Sequence, residues 1–147
     1  MFFFSLLLFI GLTAMAMVLG GRIWMFFDIP SLLLIFPPAI MFSVASTSWQ
    51  DLKNSFSFIF KHQTDQPSNE YIKAKRSLSV MGSSAVLLGI FMTFLGWVAI
   101  ANNLKAEDFE TSFGSAFAVS ILTLIYGCGL KLVCYVAEMK IQSLSEQ

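Results

Sequence analysis

This chain is short of charge, and much of what it cannot be follows from that. Only 12% of its 147 residues are Asp, Glu, Lys or Arg, and nine basic residues offset nine acidic ones. A balance of zero offers nothing to attract a polyanion, so no nucleic acid is expected as a partner. Histidine is nearly absent. The one present, His62, sits in a polar loop, whereas a metal site asks for several convergent ligands. Cysteine is scarce too. Cys128 and Cys134 lie six apart in one apolar helical stretch, on different sides of adjacent turns, and do not read as a disulfide or a metal pair. No nucleophile–base set, phosphate loop or dinucleotide fingerprint is present. An enzyme, a metal and a cofactor are therefore not expected.

What fills the chain instead is apolar sequence, 56% of the residues, with a mean hydropathy of +0.74. A soluble domain of this length could not cover that much apolar surface. Lipid is the expected solvent. The expected fold is an all-α integral membrane protein with four transmembrane helices, in one membrane domain over residues 1–147. The spans fall at about 2–19, 31–49, 78–101 and 113–136, and a loop over 50–76 carries a short interfacial helix.

Phe2 to Leu19 is nearly unbroken apolar sequence, close to the roughly 20 helical residues that a bilayer core needs. A cleaved signal peptide is the rival reading, since Ala14-Met15-Ala16 has small-x-small spacing. No Lys or Arg precedes the run, which argues against it. Gly20-Gly21-Arg22 ends the span, and Trp24 suits a membrane–water interface. Asp28-Ile29-Pro30-Ser31 reads as a turn and helix start. Pro37-Pro38 should kink the second span. In the polar segment Leu52, Phe56, Ile59 and Phe60 share a helical face, and a loop over Gln63–Asn69 follows. From Glu70 a helical pattern runs into the third span. A polar connection over 102–112 leads to the fourth, and a polar tail closes the chain.

Lys and Arg set the expected orientation. Lys53, Lys61, Lys73, Lys75, Arg76, Lys131 and Lys140 fall on one side, against Arg22 and Lys105 on the other. Both termini and the 50–76 loop are thus expected in the cytoplasm.

The third span carries a stripe of small residues, Gly82, Ala85, Gly89, Thr93 and Gly96. The fourth carries Ala116, Ser120, Thr123 and Gly127. Such stripes let helices approach closely in lipid. Packing alone would account for either stripe. Two of them, each with a hydroxyl near mid-span, suggest a lined ion pathway through Thr93 and Thr123, although a Thr hydroxyl can also bond its own helix. No Asp, Glu or His lies deep in any expected span, and an ion route normally needs an ionisable group. Either the chain transports nothing, or a partner brings the carboxylate. Lys131, two turns past Thr123, either snorkels to the interface or contacts a partner's acidic segment.

The run Thr93-Phe-Leu-Gly96, then Asn103-Leu104, Gly114 and Ala118-Val-Ser-Ile-Leu-Thr-Leu-Ile-Tyr-Gly127 resembles the last two helices of the MotA/TolQ/ExbB proton-channel family. Gly20-Gly21 and Met25-Phe-Phe-Asp-Ile-Pro-Ser-Leu-Leu-Leu-Ile35 resemble the first loop and second helix of its MotA branch. The resemblance implies a homo-oligomeric ring, a pentamer, in the bacterial inner membrane. It also implies two copies of a single-span MotB/TolR/ExbD-like partner that carries the ion-binding aspartate. Three departures bear on this. Met92 stands where a Gly is frequent, and Leu124 where many members have a second Thr, which favours protons over sodium. The 50–76 loop is far shorter than the MotA cytoplasmic domain, which argues against direct drive of a flagellar rotor. A membrane scaffold without ion flux is the alternative.

Overall fold

The computed structural model describes residues 2–21, 23–60, 68–103 and 109–145. The expectations for Arg22, Lys61, His62, the loop over 63–67 and Lys105 fall outside them. Among the described residues all regular structure is helical: α1 (Phe2–Leu19), a 3-10 turn (Ile23–Phe26), α2 (Ile29–Ser46), α3 (Trp49–Phe60), α4 (Ser68–Asn103) and α5 (Phe109–Ser145). Three stretches are long and apolar enough to cross a membrane, Ile29–Ser46, Asn69–Asn103 and Ser112–Ser143. The sequence reading expects four. α1 is apolar all along, but its described stretch Phe4–Leu19 is shorter than the other three.

The first break is built by glycine. Gly21 has a φ of 140°, a backbone conformation that side chains resist. The next start is built by Asp28, whose carboxylate accepts from the Ser31 N–H at 2.9 Å and from the Ser31 hydroxyl. This satisfies an N–H that the first turn leaves without a helical partner. Pro30 tolerates that position because the first turn has no use for its missing N–H. The helix then continues through Pro37 and Pro38.

The second span was expected to reach residue 49, and the helix stops earlier. The Thr47 hydroxyl and N–H both turn back to the Ser43 carbonyl, at 2.8 and 3.0 Å. Ser48 caps the next helix by accepting from the Gln50 and Asp51 N–H groups at 3.1 and 3.2 Å. Local hydroxyls outcompete the helix ladder here, so α3 turns away as a separate element. Its buried face is also rotated from the expected one. Leu52, Ser55, Phe58 and Ile59 are buried, while Phe56 and Phe60 are exposed. The reason is that α3 packs on protein, against α4 and α5.

α4 and α5 form a long antiparallel hairpin. At 1.5 Å per residue each is roughly 55 Å long, more than the ~30 Å of a hydrocarbon core. α5 runs on to Ser145, past the point at which the polar tail was expected to begin. The core gathers in the half away from the hairpin turn, around Ile35, Ala39, Leu78, Met81, Cys134 and Ile141. Buried serines stitch it. Ser43 donates to the Ser77 carbonyl at 2.8 Å, and Ser55 reaches the Ala74 carbonyl at 2.9 Å. The Lys140 ammonium caps the Ile59 carbonyl near the end of α3, where a cation suits the helix dipole.

Tyr126 ties the α1–α2 corner to α5. Its phenol donates to the Phe26 carbonyl and accepts from the Asp28 N–H at 3.0 Å. Both backbone groups lie outside regular helix hydrogen bonding, so the phenol answers a real deficit. Tyr126→Phe should lower the melting free energy by about 1–3 kcal/mol, measured by thermal unfolding in detergent. A change below ~0.5 kcal/mol would mean that solvent or lipid headgroups already serve this corner.

Beyond the corner the hairpin runs on with little besides itself. None of residues 94–103 or 112–119 is fully buried. Phe94, Trp97, Phe117 and Phe113 make a continuous aromatic ladder there, with ring centres 5.3 to 5.6 Å apart.

Candidate functional site

The two small stripes face each other inside one chain. A Cβ on Gly89 would lie 2.9 Å from the Thr123 carbonyl oxygen, and one on Gly96 would lie 2.7 Å from the Ser120 Cβ. One on Gly127 would run into the Ala85 carbonyl oxygen, and one on Gly82 would lie 2.8 Å from the Lys131 side chain. Residues this small are what allow the backbones to meet.

That contact brings Thr93 and Thr123 together. Their hydroxyls are 2.9 Å apart, and each residue is only 4% exposed. Thr93 also reaches the Gly89 carbonyl at 2.8 Å and the Ser120 carbonyl at 3.0 Å. Thr123 reaches the Ser120 carbonyl at 2.7 Å. Two protons are thus shared among two hydroxyl oxygens and two carbonyls. Several donor arrangements satisfy this cluster, and each hydroxyl oxygen keeps accepting capacity.

Beside the pair lies a cleft of about 700 Å³ between the start of α2 and the outer hairpin. Ser31, Met92, Gly96, Ala116, Ser120 and Thr123 line it, along with Ser112 and Ser115 farther out. Thr123 borders the cleft, and Thr93 stands behind it. Gly89 and Gly127 are buried at the helix contact instead. Among the described residues, none that lines the cleft is ionisable.

Lys131 lies about two turns farther along α5 than Thr123. Its ammonium donates to the Ser83 hydroxyl at 3.2 Å and sits 3.8 Å from a Glu138 carboxylate oxygen. The Thr pair, which joins α4 to α5, and Lys131 are thus separate features of the hairpin. Glu138 corrects one expectation. It is only 8% exposed and falls inside the apolar stretch Ser112–Ser143, where no buried carboxylate was anticipated. The expected span ended at Val136, which assigned Glu138 to the tail. The signal available was a carboxylate seven residues after a lysine on one helix, two turns along the same face. Lys131→Met should destabilise the chain by about 1–3 kcal/mol, because it removes the countercharge beside a buried carboxylate oxygen that has no hydrogen-bond partner among the described residues. Adding Glu138→Leu should restore most of that loss in the same melt.

Tyr126 and Ser31 also escaped the sequence reading. A tyrosine within an apolar helix carries a hydroxyl that needs a partner, and that was the clue for the first. Cys128 is exposed and Cys134 buried, and both are free thiols. Among the described residues no group of His, Cys, Asp and Glu could hold a metal. No protein-family model matches the chain, and none of the curated proteins searched is detectably similar to it.

Proposed function

We propose that this chain is the ring-forming subunit of an ion-driven membrane motor of the MotA/TolQ/ExbB kind. Protons are the favoured ion and sodium the second choice. The single observation that carries the reading is the Thr93–Thr123 hydroxyl pair, set against two helix carbonyls at the edge of a cleft whose described lining holds no ionisable group. A carboxylate passing through lipid needs hydroxyls or water to replace its hydration. The cleft offers the hydroxyls, and its described lining has no carboxylate. A single-span partner with an aspartate in its helix, two copies inside a homopentamer, supplies what is missing.

In this reading α1 is the fourth span, and both termini and the α2–α4 connection lie in the cytoplasm of a bacterial inner membrane. The Lys and Arg distribution supports that side. The polar connection is too short for a rotor-driving domain, so the motor's output goes elsewhere. A second reading is a non-conducting scaffold. It is favoured by the fact that both hydroxyls already have carbonyl partners within the chain.

Proton influx separates the two. Cells or proteoliposomes holding this chain with a single-span, Asp-bearing membrane protein are the assay. Influx that collapses when that Asp becomes Asn supports the motor. A complex that assembles and passes no protons leaves the scaffold.

A further inference from the structure

We propose that the cavity beneath α1 holds one acyl tail of an anionic membrane phospholipid. The cavity has a volume of about 440 Å³ and is walled by α1, α2, α3, α4 and α5. Leu6, Ile40, Leu52, Leu78, Val133 and Ala137 contribute to its lining, and none of that lining is polar. A second void of about 110 Å³ shares Leu6 and Val133 with it and continues along the α1–α5 seam toward Phe9 and Val136. The two together trace one slot under α1.

Space of this size is not left empty in a packed protein, where most voids are no larger than a water. Water has no polar partner in such a slot and would not stay. The occupant is therefore apolar. In a chain whose solvent is lipid, the apolar solute at hand is an acyl chain. At ~30 Å³ for each water-sized group, the larger cavity takes about 15 methylenes, the length of one ordinary tail.

The rim points to the headgroup. Trp49 borders the cavity and is half exposed, as suits an indole at a membrane interface. The Lys53 ammonium lies 5.7 Å from the centre of that ring, so a cation stands where the tail would emerge. A phosphate diester fits there, which favours an anionic phospholipid over a neutral one. α1 packs sparsely, chiefly on α5 and the turn that follows it. It can yield to admit a tail without dismantling the core. Nothing in this depends on ion transport, so the site stands equally in a motor or a scaffold.

The test is native mass spectrometry of the full chain, purified from membranes in mild detergent. The expected result is one retained phospholipid per chain, enriched in phosphatidylglycerol. Ala137→Trp fills the cavity from α5 and should reduce retention at least tenfold. Lys53→Gln should keep the lipid and lose the phosphatidylglycerol preference, about fivefold. A second measurement covers the case in which Ala137→Trp does not fold. Wild-type chain is reconstituted in vesicles of phosphatidylglycerol with a diazirine in mid-tail and irradiated. Cross-links should concentrate on Leu6, Leu52 and Leu78 over the exposed Leu33 and Phe42. A wild-type chain without bound phospholipid overturns the proposal. So does equal retention by folded Ala137→Trp, or cross-linking no denser at the cavity than at Leu33 and Phe42.

Discussion

Gly127→Leu should abolish the folded hairpin, and Gly127→Ala alone should cost about 3 kcal/mol or more. Overpacking a well-filled core costs about 1–3 kcal/mol when side chains can shift. Here the obstacle is backbone, the Ala85 carbonyl oxygen and the Gly89 Cα on the facing helix. Neither can rotate out of the way, so the helices must separate. Separation would also break the Thr93 and Thr123 cluster one turn away. From the sequence these glycines read as positions of close helix approach. In the structure they join α4 to α5 within one chain, so the damage falls on the subunit before it reaches any ring. Gly114 and Gly129 provide the control, because nothing lies within 4 Å of a Cβ at either position. Their alanine variants should be neutral or gain up to about 1 kcal/mol from helix propensity. Thermal unfolding and protease resistance in detergent would measure all four. A Gly127→Ala chain that melts with the controls would mean that the two helices are not in backbone contact.

Thr123→Val should slow proton influx roughly ten- to a hundredfold in the assembled complex, if the proposed function holds. Removing a hydrogen bond to a charged group costs about 1.5–3 kcal/mol, at about 1.4 kcal/mol per tenfold. Valine keeps the shape and deletes the hydroxyl, so packing changes little. Thr123 lines the cleft, and Thr93 sits behind it at 2.9 Å. Thr93→Val should therefore act more weakly, because Thr93 reaches the cleft only through Thr123, which keeps its own bond to the Ser120 carbonyl. Thr13→Val is the control, since its hydroxyl bonds only its own helix at the Phe9 carbonyl and is exposed. Influx into cells, corrected for the amount of complex in the membrane, gives the comparison. A wild-type influx that neither Thr93→Val nor Thr123→Val alters would remove these hydroxyls from the ion route and leave the channel itself in place.

The sequence exposed the features set by local chemistry. The Asp28 helix start, the glycine break at Gly21 and the lengths of the apolar runs all follow from neighbours in the chain. The facing of the two small stripes was legible too, because it depends only on periodicity along each helix. What stayed hidden depends on a distant partner. The α3 face could not be placed without knowing that α4 and α5 lie beneath it. Ser43 and Ser55 look like ordinary helix serines until Ser77 and Ala74 stand opposite. Glu138 was lost because the apolar run was ended at Val136, whereas a lysine and a carboxylate on one face enter the packed region together. The slot under α1 has no sequence signature, since the residues that wall it read as ordinary apolar positions.

The polar stitches of the first half also carry a consequence for the order of synthesis. Ser43 waits for Ser77, 34 residues later. The Ile59 carbonyl waits 81 residues for Lys140, and the Phe26 carbonyl waits 100 for Tyr126. An N-terminal half emerging from a ribosome therefore holds helices with no lasting neighbour. Contacts so far apart along the chain form slowly and leave apolar and polar groups uncovered meanwhile. The α4–α5 hairpin, joined by a short connection and by facing glycines, is the piece able to close first. The earlier helices then fold back onto it, so the hairpin made after them is their template.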